Sequence, residues 1–200
     1  SNAVVSFENC EVRGTAITGD YNVGSLWGSI TEAGTIPGNL QQLPTAVTVS
    51  DCSSSAKVHC TQGTIGVLGG WTYCAGGNVD GFDFTGTAAN QNGDWTVSLC
   101  GGMGNGGGYT ALSVENASVS PPDNAVLNQA LTIPANISFK VPASYTFTIN
   151  TGKALTVNGT FINRGTVIVN DANALSFVLS AGGNIKLGDN ITVSAPIVIA

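Results

Sequence analysis

Short apolar segments recur along the second half of the chain, beginning at Leu131, Ile137, Tyr145, Leu155, Phe161, Val167, Leu175, Ile185, Ile191 and Ile197. The steps between them run 6, 8, 10, 6, 6, 8, 10, 6 and 6, a period of 30. Within a segment apolar and polar residues alternate, as in Leu155-Thr156-Val157 and Ile191-Thr192-Val193. Alternation sends successive side chains to opposite faces, the signature of a strand with one buried side. Turn formers separate the segments: Asn158-Gly159, Asn163-Arg164-Gly165 and Gly188-Asp189-Asn190. Antiparallel sandwiches space their strands ~8–12 residues apart with hairpin turns between. Short strands so closely spaced instead predict a chain that keeps coiling in one direction, each coil burying its apolar side on the next. The period places Leu131, Phe161 and Ile191 in one interior column, and Ile137, Val167 and Ile197 in another. It also lays Thr146 and Thr148 over Ser176 and Val178, so a flat Thr row of the ice-binding kind fails after one coil.

The first half carries a different repeat. Phe7-Glu8-Asn9-Cys10 recurs as Val49-Ser50-Asp51-Cys52 and as Val114-Glu115-Asn116-Ala117. Cys10 is followed, after an interval, by Val23-Gly24-Ser25-Leu26-Trp27-Gly28, and Cys52 is followed at the same interval by Ile65-Gly66-Val67-Leu68-Gly69-Gly70. A weaker copy is Thr96-Val97-Ser98-Leu99-Cys100-Gly101. Leu26, Leu68 and Leu99 hold the same place in the three blocks, and the stretch from Leu26 to Leu68 is longer than that from Leu68 to Leu99. The excess falls in Glu32–Pro44, whose Gly, Gln and Pro content predicts an inserted loop near residues 32–44, whose deletion should cost little stability.

The motif Asn9-Cys10-x-x-x-Gly14-x-x-x-x-Gly19, followed by Val23-Gly24-x-Leu26-x-Gly28, resembles the GLUG-type repeats of bacterial surface proteins. The stretch from Leu131 through Val169 is similar to the Thr/Asn/Gly-rich solenoid repeats of bacterial adhesins. The resemblance implies a parallel β-solenoid (β-helix) on an exported protein and carries no catalytic site with it. The expected organisation is a tag scar at residues 1–3 (Ser1-Asn2-Ala3) and one all-β solenoid domain over 4–200. Its coils are ~30 residues long, GLUG-like over 4–124 and of the second type over 125–200. The strand-like ending Ile197-Val198-Ile199-Ala200 reads as part of something longer.

Composition narrows the function. Only 9% of the 200 residues are charged, against roughly 25% in an average domain. The net charge is −6, and no basic stripe exists to track phosphates, which argues against nucleic acid as a partner. No apolar run approaches the ~18–20 residues of a membrane span, so no membrane insertion is expected of this chain. The cysteines are Cys10, Cys52, Cys60, Cys74 and Cys100, an odd number without C-x-x-C spacing. They read as small core residues with room for one disulfide; a mixed site with His59 and Cys60 is the alternative. Cys10 and Cys52 hold the same repeat position, so they should stack in adjacent coils, as reduced and buried thiols, because Ala117 fills the equivalent slot.

Candidate ligand-binding residues are Asp80, Asp83, Asp94 and Trp95, with Trp27 and Trp71 as exposed rings. Paired carboxylates do acid–base work on sugars, and aromatic rings stack on sugar faces. The competing reading makes the three aspartates turn formers beside Gly81 and Gly93, and the tryptophans caps of the core. Gly101-Gly102-Met103-Gly104-Asn105 lacks the Asp of a calcium-binding repeat, and the glycine run lacks the Lys of a phosphate loop. The four Asn-x-Ser/Thr sequons are chance products of an Asn/Thr-rich chain. The expectation is therefore a non-enzymatic adhesin-like fragment at the cell surface. It would need no metal or cofactor and would serve as a stalk or as a surface for glycans or surface proteins. The alternatives are a carbohydrate-active enzyme or binding module, and a phage or viral receptor-binding fibre.

Overall fold

The computed structural model describes residues 3–14, 16–30, 44–72, 76–103, 112–170, 177–179, 181–187 and 198–199. All regular structure among them is β-strand, and the strands pair in parallel from coil to coil: the chain is a parallel β-solenoid. It divides into two compact units, Ser1–Ala117 and Ser118–Ala200.

In the first unit, one coil holds β1 (Ala3–Glu8), β2 (Glu11–Val12), β3 (Ala16–Gly19) and β4 (Trp27–Ile30). The next holds β5 (Pro44–Ser54), β6 (Lys57–Cys60) and β7 (Gly69–Thr72). The third holds β8 (Gly77–Phe84), β9 (Thr87–Asn90) and β10 (Cys100–Met103), and β11 (Ser113–Val119) follows. Three sheets result: β1-β5-β8-β11, β3-β6-β9 and β4-β7-β10. Val47 pairs with Val5 on one side and with Gly77 on the other, so the first coil is longer than the second, as the leucine spacing predicts. The leucine blocks stack in register: Leu26 N–H donates to Leu68 O, and Leu68 N–H donates to Leu99 O, both at 2.9 Å. Pro44 belongs to β5 and pairs with Ala3, which trims the expected loop at its end; residues 32–43 lie outside the described residues.

The recurring Asn-Cys motif has a backbone cause. Asn9, Asp51, Gly81 and Asn116 all take positive φ, at 52°, 50°, 78° and 51°. Asx residues and glycine tolerate this left-handed conformation in mid-strand, where β-branched residues do not. Each one breaks the alternation, leaving two outward residues between two inward ones, as in Val49-Ser50-Asp51-Cys52. The result is a local bulge of the backbone, repeated in register from coil to coil with no extra residue in either paired strand. Val79-Asp80-Gly81-Phe82 is thus a further copy of the motif, with glycine in place of Asx and phenylalanine in place of cysteine, and Val114–Ala117 is the fourth copy.

In the second unit the strands are β12 (Ala125–Leu127), β13 (Leu131–Ile133) and β14 (Ile137–Val141), then β15 (Thr146–Ile149), β16 (Leu155–Val157) and β17 (Thr160–Asn163). After these come β18 (Thr166–Val169), β19 (Phe177–Leu179), β20 (Asn184–Leu187) and β21 (Val198–Ile199). The sheets are β12-β15-β18, β13-β16-β19-β21 and β14-β17-β20. This pairing corrects the expected period. Leu131 pairs with Leu155, and Leu155 with Phe177, so both coils are shorter than the spacing predicts. Phe161 pairs with Phe139 and Ile185, and Val167 pairs with Phe147, so neither expected column forms as drawn. Ile191 and Ile197 lie outside the described residues.

The chain returns to the same sheet after three strands, where the spacing counted four. The strands from β12 to β18 all alternate between inward and outward residues, so periodicity alone does not say how many make a turn. The corners do: a Cβ on Gly159 would collide with the Pro134 and Ile137 carbonyls, and one on Gly165 with those of Pro142 and Tyr145. Each glycine therefore lies directly beneath the preceding corner. Inside, Phe139 stacks on Phe161 at 5.9 Å between ring centroids and meets Phe147 edge-on at 5.4 Å. Phe161 in turn meets Phe177 edge-on at 5.0 Å.

Candidate functional site

The outward side chains of neighbouring coils bond to one another within each unit. On the first unit Thr48 Oγ1 donates to Ser6 Oγ at 2.9 Å, and the Tyr21 hydroxyl to Gln62 Oε1 at 2.7 Å. Thr61 Oγ1 donates to Asp20 Oδ1 at 2.5 Å, Thr64 Oγ1 to Asn22 Oδ1 at 2.8 Å, and Asn116 Nδ2 to Asp80 Oδ1 at 2.7 Å. On the second unit Asn150 Nδ2 donates to Asn128 Oδ1 at 3.0 Å, and Asn170 Nδ2 to Asn150 Oδ1 at 3.2 Å, a ladder of asparagines. Beside it Val126, Thr148 and Ile168 align, and Thr146 lies against Thr166. The Thr pair thus sits over Thr166 and Ile168, not over Ser176 and Val178. The middle rung of the ladder joins both neighbours, so Asn150→Ala should cost ~1 kcal/mol, given the usual net worth of a hydrogen bond. Urea unfolding checks this, and an unchanged midpoint would mean that water replaces the ladder without loss.

Asp80 and Asp83 are not turn residues. Both lie in β8, on its exposed side, separated by the Gly81 bulge. Asp94 is in a turn, as the glycine beside it suggests: Asn90 Oδ1 accepts from the backbone N–H of Asn92 and Asp94, and Asn90 Nδ2 donates to Asp94 Oδ2. Trp95 follows, half-buried, in an antiparallel bridge to Ala89. Of the three carboxylates, only Asp80 and Asp83 share a strand face.

Trp27 is buried, which corrects its place among the exposed aromatics. It stacks on Phe7 at 5.1 Å, its Nε1 donates to Thr72 Oγ1 at 3.2 Å, and its indole occupies the space a side chain at Gly69 would take. Trp71, half-buried in β7, covers Gly102 in the same way. Both rings fill gaps that glycines leave in the next coil, so they belong to packing. Tyr21 is an aromatic on the surface, 66% exposed.

His59 and Cys60 are consecutive in β6, so they point to opposite faces and cannot ligate one ion together. Cys60 is buried, while His59 is half-buried between Thr18 and Ala89 on the neighbouring strands. Among the described residues no three His, Cys, Asp or Glu side chains are grouped to hold a metal ion. An exposed ion pair joins Arg13 to Glu11 at 2.6 Å, and the hydrogen bond from the guanidinium holds the Glu11 carboxyl below its ordinary range. Gly101 and Gly102 of the glycine run are strand residues packed against Ile65 and Trp71; residues 104–108 lie outside the described residues.

The fold and these surfaces define the class, a parallel β-solenoid with hydrogen-bonded outer ladders. Compared with known protein families, with curated proteins and with solved structures, the chain matches none.

Proposed function

We propose that the chain is part of a non-enzymatic, extracellular, adhesin-like surface protein, in which the solenoid serves as a stalk and its outward strand faces as a ligand-binding surface. The observation that supports it most is the ladder bonding. In each unit, outward polar groups join coil to coil, which ties the stack together and leaves repetitive outward faces for contact. Of the carboxylates that sugar cleavage would need, Asp94 is bonded within its own turn and Asp80 accepts from Asn116 Nδ2. The resemblance of the Asn9-Cys10 motif to GLUG-type repeats adds the expectation of export to a cell surface.

The test is a glycan and surface-protein array probed with the labelled chain, beside a panel of soluble polysaccharides assayed for new reducing ends or unsaturated products. Weak binding to a restricted ligand set, with no product, is expected; a blank array with no product assigns the stalk role alone. Product formation abolished by Asp80→Asn or Asp83→Asn would make the chain an enzyme. A stable trimer in sedimentation would favour a receptor-binding fibre.

A further inference from the structure

We propose that Cys10 and Cys52 are a paired modification site for small-molecule disulfides, closing into a bond between the first and second coils. This does not depend on the surface role above. The register places the two cysteines together: Glu8 pairs with Ser50 and Glu11 with Ser53, so the residues between, Asn9-Cys10 and Asp51-Cys52, lie side by side. Neighbouring parallel strands are ~4.8 Å apart, within the ~4.4–6.8 Å Cα separation a disulfide spans. Both thiols are free in the structure.

The Cys52 thiol leans toward the first coil, with its Sγ 3.4 Å from Cys10 N and 3.5 Å from Phe7 O. It also faces Ser50 O at 3.2 Å, as Cys10 Sγ faces Glu8 O at 3.5 Å. The remaining described thiols sit elsewhere: Cys60 faces Asp20 O, and Cys100 accepts from Thr72 Oγ1. On its other side Cys52 pairs with Phe82, which has no sulfur.

Exposure assigns the order of events. Cys52 is buried as its repeat position suggests, but Cys10, in the first coil, is only half-buried, so an incoming disulfide R–S–S–R reaches Cys10 first. The Cys10 thiolate attacks one sulfur, the S–S bond breaks, and RS⁻ leaves and takes up a proton. The Cys52 thiolate then attacks Cys10 Sγ and displaces the second RS⁻. Two thiols lose two electrons and two protons, and the small disulfide becomes two RSH. Burial pushes the Cys52 thiol above its ordinary value, so its thiolate is scarce near neutrality. The second step should therefore quicken about tenfold per pH unit until that thiol ionises.

The experiment incubates the folded chain with oxidised glutathione, alkylates remaining thiols in denaturant, and maps the disulfide-linked peptides by mass. The expected product is a peptide pair joining Cys10 to Cys52, formed faster as pH rises, with a raised thermal midpoint. Cys52→Ser should stop at a stable glutathione adduct on Cys10. Cys10→Ser should leave Cys52 unmodified in the folded chain. The proposal is overturned if the wild-type chain links either residue to another cysteine. It is equally overturned if the wild-type chain retains a glutathione adduct on Cys10 beside an alkylated Cys52, or if neither residue reacts while folded. Mapping of the wild-type chain needs no variant to fold.

Discussion

Replacing Phe139 with alanine should lower stability by ~3–5 kcal/mol, the usual cost of truncating a buried phenylalanine. Phe139 is fully buried in β14, stacked on Phe161 and edge-on to Phe147. A solenoid coil is thin, so few neighbours exist to collapse into the space, which places the loss at the upper end of that range. Urea unfolding followed by far-ultraviolet circular dichroism measures it. A loss below about 1 kcal/mol would mean that the phenylalanine column is not the core of the second unit. Phe139→Leu, which refills most of the volume, should recover much of the stability.

Gly66→Ala should be a strongly damaging single-methyl addition in the first unit, at ~1–3 kcal/mol or more. A Cβ there would stand 2.6 Å from Leu99 O and 2.7 Å from Gly101 N, and closer still to Gly69 O. These are backbone atoms of the leucine blocks, held by the Leu68–Leu99 hydrogen bond, so they cannot move without breaking the stack. Gly19→Ala is the matched control, because its new methyl meets only the Val23 Cγ2 at 3.0 Å, a side chain able to give way. Equal losses in the two variants, read from thermal midpoints, would show that strand propensity rather than backbone proximity sets the cost.

The leucine blocks show what makes the first unit legible. In the first two blocks Val/Ile-Gly-x-Leu survives because glycine is required where Gly24 and Gly66 meet the backbone of the next coil, whereas the third block, with Val97 at that place, keeps only the leucine. The Asn9 and Asp51 motif is legible for a related reason, a left-handed backbone that admits few residue types. Its third copy escapes notice because glycine replaces the Asx residue at position 81 and phenylalanine the cysteine at 82. In the second unit the strands are readable and the coil is not. Alternation fixes which residues face inward, but Leu155-Thr156-Val157 fits over Leu131-Thr132-Ile133 and under Phe161-Ile162-Asn163 equally well as a pattern. The corner glycines, Gly159 and Gly165, hold the missing information, since they must sit under Pro134 and Pro142.

The candidate site is less legible. Asp-Gly-Phe-Asp at 80–83 carries the composition of a turn, yet its glycine serves a bulge within a strand, and both carboxylates face outward. Trp27 reads as a sugar platform because no local pattern marks a tryptophan whose seat, Gly69, lies a whole coil further along the chain. The outer ladders are hidden because Asn and Thr abound everywhere in the chain, and only the register says which of them meet.

The tryptophan seats also give each coil of the first unit an address. Trp27 needs Gly69 beneath it, and Trp71 needs Gly102. If the first coil docked on the third, its bulge would still match, Asn9 over Gly81, but Trp27 would land on Cys100, which is the Gly69 partner in the third coil. Cys10 would meet Phe82 in place of Cys52. The bulges align any coil with any other, whereas the ring-and-glycine pairs accept only the proper neighbour. Similar modules in one chain invite out-of-order assembly, and these pairs select against it. The first unit cannot then be shortened by excising its middle coil: the ends would be compatible in backbone and mismatched in volume.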